Sequence, residues 1–397
     1  MIALSGADIV LPDRIVKGGS IIIDRGRIVA IEARAIESAA GVTVTNLANH
    51  LIVAGFVDVH IHGIEGIDVL DGADAVAAVA QRLPKYGVTA FCPTSVACSP
   101  AKLLVLLDAI ARARSAPASR AARVLPAHLE SNFINPEWNG AQPIHCLRSY
   151  KPQGASAEGD FAGHEILQAI ASHGASVGIV TLAPEMPGGL DLVRDLAAAG
   201  HRVSLGHTGA SYEEAKAAIA AGAHHATHLF NRMSSITSRS PGVVGAVLES
   251  DAVAAEIICD GHHVHPALVA MAIRLKSPSR MMAITDGTAA AGLETGAKAR
   301  LGEQTIVAGE RTALLENGTL AGSILTMDRA FRLLVERIGL SYSDASRMCS
   351  TTPAAAMKTA DFGSIEIGKA ADLAVLSRDL GLVQTYIAGE PALKPRT

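Results

Sequence analysis

Residues 1–50 alternate apolar and polar positions. In "GSIIIDRGRIVAIEA" the period of two predicts a hairpin: "SIIID", a turn at Arg25-Gly26, then "RIVAIE". A lone hairpin is not stable in water, so it needs a partner sheet. The other chain end offers one, since "GSIEIGKAADLAVLSRDLGLVQTYIAGEP" contains the strands "DLAVLS" and "VQTYIAG" with turn glycines. Both chain ends are thus expected to build one small β-sandwich domain, residues 1–53 together with 361–397.

Between them the pattern changes. Short β-rich runs alternate with alanine-rich segments of helical period. The strands are "GFVDVHI", "VTAFCPTS", "RVLPAHLE", "SVGIVTLAP", "RVSLGHT", "HATHLFN", "VAAEIICDG" and "RMMAITDG". Helices are expected at 74–85, 101–114, 189–199, 211–222 and 266–276. Alternation of this kind predicts parallel strands, and eight of them is the number of a (β/α)8 barrel, a TIM-like fold, over residues 54–360. A doubly wound open sheet is the competing architecture. Residues 131–163 form a long connection with Pro136, Pro143, Pro152 and the only tryptophan, Trp138, which marks it as a binding loop or lid.

Composition narrows the class. With 49% hydrophobic and 18% charged residues among 397, the chain can bury a large core. No apolar stretch of membrane-spanning length occurs, and the first residues lack the pattern of a signal peptide. A net charge of −4 without a basic run gives no nucleic-acid footprint. The five scattered cysteines form no C-x-x-C pair, as expected of buried thiols in a reducing cytoplasm. Neither a membrane nor nucleic acid is an expected partner.

The candidate chemistry lies at the strand ends. The first strand ends in His60 and His62, the third in Glu130, the fifth in His207, the sixth in His228 and the eighth in Asp286. In a barrel these ends meet on one face, and positions i and i+2 of a strand share a side. Imidazoles with carboxylates suit Zn2+ or Fe2+. H-x-H alone is a weak signal; the whole set at successive strand ends is a strong one. His224, His225, His262 and His265 are read as polar residues of helix ends and loops.

The order "AGFVDVHIHG … HLE … GHT … ATHLFN … TDG" resembles the amidohydrolase superfamily, and more closely its N-acetylglucosamine-6-phosphate deacetylases. The likeness is dense in "SLGHTGASYEEAKAAIAAGAHHATHLFNRM", "ITSRSPGVVGAVL", "ICDGHHV", "ITDGTAAAG", "GTLAGSILTM" and "GSIEIGKAADLAVL". The resemblance implies a metal-dependent hydrolase that releases acetate from N-acetyl-D-glucosamine 6-phosphate. Glu130, His207 and His228 would hold one divalent metal, Zn2+ or Fe2+. The fourth strand, "GIVTLAPE", has no lysine to bridge a second. Glu130 would then be the sole protein bridge to a second, weaker site held by His60 and His62, with Asp286 a further candidate ligand.

The resemblance also implies that Asp286 is the general base and then the general acid. Asn231 and the backbone that follows it at Arg232 would meet the sugar phosphate, His263 would touch the sugar, and Arg239 would reach the phosphate from a neighbouring subunit, so a homodimer or larger oligomer is expected. Ala321, Gly322 and Ser323 would close over the substrate, and Ala141 and Gln142 would frame the acyl group. Two departures stand out: Ser131-Asn132-Phe133 replaces glycine-proline-aromatic, and Gln142 replaces a histidine that polarises the acetyl carbonyl. The competing functions are deacetylation of another N-acetylhexosamine phosphate such as the galactosamine epimer, a different amidohydrolase reaction (deamination, cyclic amide opening, N-acyl amino acid deacylation), and a non-catalytic scaffold.

Overall fold

The computed structural model describes residues 1–38, 40–151 and 159–392. The chain opens with five strands: β1 (Ile2–Val10), β2 (Ile15–Asp24), β3 (Arg27–Glu32), β4 (Thr43–Asn46) and β5 (Leu51–Ala54). The β2–β3 turn is at Arg25 and Gly26, both with positive φ (47° and 78°), as a two-residue hairpin loop matched to strand twist requires.

Eight barrel strands follow: β6 (Phe56–Ile61), β7 (Val88–Ser95), β8 (Ala127–Glu130), β9 (Val177–Leu182), β10 (Arg202–Leu205), β11 (Ala223–Ala226), β12 (Ala254–Ile258) and β13 (Met281–Ile284). They pair in parallel and in sequence order. A parallel bridge between Ile61 and Gly287 links the last strand region back to the first. The open-sheet alternative is therefore set aside. The third predicted strand is broken: Arg123–Val124 pairs with β7 separately, because Pro126 has no N–H for the ladder.

The expected helices lie at Ala75–Arg82, Pro100–Ser115, Gly189–Ala198, Tyr212–Ala220 and Pro266–Lys276. Local chemistry sets their starts. Ser99 caps one ahead of Pro100, and Ser211 with Glu214 forms a reciprocal capping box on another. His265 caps the helix that begins at Pro266, in keeping with its reading as a polar helix-end residue. Helices at Gly163–Ser172, Gly242–Glu249 and Met327–Glu336 add to the outer layer. The main apolar core lies between strands and helices, with Phe56, Phe91 and Phe331 fully buried in it.

Two further features position the site. A meander of β14 (Lys298–Leu301), β15 (Gln304–Ala308) and β16 (Ala313–Leu315) follows the eighth barrel strand. It reaches the barrel mouth, where Leu301 lines the main pocket and Gln304 donates to the Ala141 carbonyl. Finally β17 (Leu373–Leu376), β18 (Leu382–Ile387) and β19 (Glu390–Pro391) return to β5, giving one eight-stranded terminal sheet in the order β19-β18-β17-β5-β1-β2-β3 with β4 beside β1. Buried Asp372 ties this sheet to the barrel by accepting from Arg123 at 2.6 Å. The long connection is described apart from residues 152–158; Pro152 lies outside the described residues.

Candidate metal centre and active site

The predicted ligands converge at the barrel mouth. Glu130 closes β8, and His60 lies within β6. His62, His207, His228 and Asp286 stand just beyond their strands. Three of them have positive φ: His207 (50°), His228 (30°) and Asp286 (49°). Such conformations cost non-glycine residues about 1–3 kcal/mol each and gather at functional sites. Gly206 permits the sharp departure before His207, since a Cβ there would sit 2.8 Å from Thr181 and Thr227 atoms.

Two ligand sets result. In the first, Glu130 Oε1 lies 3.1 Å from His207 Nε2 and 2.9 Å from His228 Nε2, and the two imidazole nitrogens are 3.2 Å apart. In the second, Asp286 Oδ1 lies 3.1 Å from His62 Nε2 and 3.3 Å from His60 Nε2, which are 3.3 Å from each other. Glu130 stands between the sets, with Oε2 3.5 Å from His62 Nε2 and Oε1 3.7 Å from His60 Nε2. All six residues are buried.

The outer ring nitrogens are mostly committed. His207 Nδ1 donates to the Trp138 carbonyl (2.8 Å), His62 Nδ1 to the Thr94 carbonyl (3.0 Å) and His60 Nδ1 to Glu256 Oε2 (2.9 Å). Those bonds fix the tautomers and turn the Nε2 lone pairs inward, the arrangement typical of metal-binding histidines.

Electrostatics supports the same use. Burial opposes ionisation of Glu130, but the His207 and His60 imidazoles outweigh it and hold the carboxyl well below its usual range. Asp286 is likewise buried, yet His60 and His62 hold it at about 2. Burial alone would lower His62 and His228; the neighbouring carboxylates instead push both up to about 9. For His60 burial prevails and presses it to about 4. Two ionised carboxylates thus face four imidazoles, and in His60, His62 and His207 the outer nitrogen holds the hydrogen and leaves the inner lone pair free. Glu130, His207 and His228 bring one carboxylate oxygen and two imidazole nitrogens together within reach of one divalent cation, so the residues present fit a metal.

Below the ligands, hydroxyls and His128 form a chain. His128 Nε2 meets Thr181 Oγ1 (2.7 Å), which meets Thr227 Oγ1 (2.7 Å), which meets Ser204 Oγ (2.6 Å). Asp58 receives Thr285 Oγ1 at 2.5 Å and binds the "TDG" turn to the first strand. Burial pushes Asp58 and Glu256 up to about 7. Asp58, His128 and Glu256 were not among the predicted site residues. The available signal was a polar side chain inside an otherwise apolar strand.

A pocket of about 350 Å³ opens over the ligands. Gln142, Ala141, Asn231, Arg232, His263 and Gly322 line it. Three other predicted contacts do not. Arg239 is exposed on the loop beyond the wall. Ala321 is fully buried, and Ser323 is spent on the turn that carries Asp286: its N–H donates to the Asp286 carbonyl (2.7 Å) and its hydroxyl to the Thr285 carbonyl (2.5 Å). Trp138 is part of the lining. The Ser131-Asn132 departure faces inward: Ser131 Oγ donates to the Thr181 carbonyl (2.6 Å), and Asn132 Nδ2 to those of Cys98 (2.8 Å) and Cys146 (2.7 Å). These side chains brace the loop.

Comparison with known proteins agrees with this geometry. The amidohydrolase family model matches residues 51–392. N-acetylglucosamine-6-phosphate deacetylase of Bacillus subtilis (strain 168) is 33% identical over 97% of this chain and 95% of its own length. N-acetylgalactosamine-6-phosphate deacetylase of Escherichia coli O157:H7 is 34% identical over 88% of this chain and 90% of its own. Among solved structures, a mutant N-acetyl-D-glucosamine-6-phosphate deacetylase from Mycobacterium smegmatis in complex with N-acetyl-D-glucosamine-6-phosphate superposes with a TM-score of 0.89. It is 32% identical and 99% of each chain is covered. The chain belongs to the amidohydrolase family and, within it, to the N-acetylglucosamine-6-phosphate deacetylases.

Proposed function

We propose that this chain hydrolyses the acetamide of N-acetyl-D-glucosamine 6-phosphate to D-glucosamine 6-phosphate and acetate. One observation carries the reading: a single pocket is lined both by a hydrolytic set (Glu130, His207, His228, Asp286) and by groups suited to a sugar phosphate (Asn231, Arg232, His263). A divalent metal held by Glu130, His207 and His228, with Zn2+ the best match to a compact set of two imidazoles and one carboxylate, would supply acidified water and Lewis acidity at the carbonyl.

The chain's own residues do the rest. Asp286 takes a proton from the attacking water as the C–O bond forms. It returns that proton to the sugar nitrogen as the C–N bond breaks, because an amine leaves poorly as an anion. His60 and His62 keep the Asp286 carboxyl ionised and aimed. Asn231 and Arg232 orient the sugar phosphate from the pocket wall, a task to which a guanidinium fork is suited. Arg239, exposed outside the wall, would serve the phosphate of a partner subunit, which makes a homodimer the smallest working assembly. Five buried free cysteines suit a reducing compartment, and we place the enzyme in the cytoplasm. The proposed domains are residues 1–53 with 361–397 for the terminal sheet and 54–360 for the barrel, with Ala54, which still pairs with Leu373, at the junction.

The test is acetate and free amine release from N-acetylglucosamine 6-phosphate, its galactose and mannose epimers, and the unphosphorylated sugars. N-acetylglucosamine 6-phosphate is expected to be turned over fastest. Equal rates with unphosphorylated sugar would end the phosphate assignment.

A further inference from the structure

Gln142 stands where the family resemblance implies a histidine acting on the acetyl carbonyl. Its surroundings give it another task. The residue is 4% exposed and held at both ends. Its backbone N–H donates to the Asn139 carbonyl (2.9 Å), and its own carbonyl accepts from Asn139 Nδ2 (2.8 Å). Its side-chain Oε1 accepts from the Ala97 N–H at 2.7 Å. Its Nε2 donates to Glu130 Oε2.

These partners decide which way the amide points. Reversed, it would set an NH2 group against the Ala97 N–H and a carbonyl oxygen against a carboxylate oxygen. Both contacts would be repulsive. The donor therefore faces Glu130. An amide does not titrate, so the donor side of this hydrogen bond brings no charge of its own. It fixes Oε2 and with it the rotation of the carboxylate. The other oxygen, Oε1, is left 3.1 Å and 2.9 Å from the inner nitrogens of His207 and His228.

We propose that Gln142 is a positioning residue for Glu130, which sets how tightly Glu130, His207 and His228 hold a divalent metal; its amide is not an acyl contact. This rests on the reading of those three residues as a metal centre. Groups that orient a ligating side chain typically contribute about 10–100-fold to metal affinity. Gln142 is the sole side chain hydrogen-bonded to Glu130 Oε2 among the described residues, so it fixes the oxygen that His207 and His228, both on Oε1, do not hold.

The experiment measures the Zn2+ dissociation constant by chelator competition, and then KM on metal-saturated protein, for wild type, Gln142→Met and Gln142→Ala. Methionine keeps the side-chain volume but removes both amide contacts; alanine removes the side chain altogether. Circular dichroism separates loss of fold from loss of metal. The expected result is a dissociation constant raised about 10–100-fold in both variants, with KM unchanged once the metal is restored. An unchanged dissociation constant with a raised KM would assign Gln142 to the acyl group and overturn the proposal. Wild-type protein that binds no divalent metal would fail earlier and differently, because it would remove the centre itself.

Discussion

The two ligand sets at the barrel mouth look alike and are built differently. Glu130, His207 and His228 come from three separate strand ends, and their carboxylate is oriented by the neutral amide of Gln142. His60 and His62 share one strand region, and the carboxylate between them is Asp286. That carboxylate comes with a conflict. Bound to a metal, Asp286 would lose the basicity that proton transfer requires. Glu130 has no such second duty. The difference teaches that burial and spacing make a ligand set, whereas the fate of its carboxylate decides whether it holds the metal or moves the proton. On the proposed mechanism the first set is the tight metal site. The second brackets the base, and a weaker metal there would have to use Glu130 Oε2, 3.5 Å from His62 Nε2.

The comparison can be broken at either side. The largest effect is expected from His228→Ala. It removes a ligand of the tight set and leaves Glu130 without its 2.9 Å partner, so metal content should fall to background and acetate release with it. Elemental analysis and an acetate assay on one sample check both. A smaller effect is expected from His60→Gln with His62→Asn. If the second set is the weaker site, metal titration should drop from above one equivalent towards one, the tight equivalent staying in place. Amide side chains keep donors beside Asp286, so turnover should fall less than in His228→Ala. Loss of the tight equivalent in this double variant would exchange the roles assigned to the two sets.

Much of this was legible in the sequence, for a physical reason. Strand ends of a parallel barrel meet on one face, so polar side chains closing apolar runs declare themselves: Glu130 in "AHLE", His207 in "GHT", Asp286 in "TDG". The terminal sheet was visible because a two-residue period at both chain ends needs a shared partner. What escaped lay inside runs. Glu256 reads as one polar residue in "VAAEII", and only barrel closure brings it to His60. Asp58 stands two residues before His60, yet its partner Thr285 is 227 positions away. Gln142 was singled out for its departure from the family, but its task depends on Ala97 and Glu130, which the loop folds against it. The meander at Lys298–Leu315 has no predicted counterpart, because its short strands follow the last barrel strand without the barrel's period.

The proposed mechanism has Asp286 move the proton while Glu130, His207 and His228 hold the metal, and the rest of it depends on that division. The variant Asp286→Asn tests it most directly, with metal content and acetate release from N-acetylglucosamine 6-phosphate measured on the same preparation. Asparagine keeps the shape of the side chain and cannot accept the proton. The predicted result is a retained tight equivalent of metal with turnover lowered about 10²–10⁴-fold, the usual worth of a general acid–base group. Full turnover in the Asp286→Asn variant, or loss of the tight metal equivalent along with the activity, would contradict it.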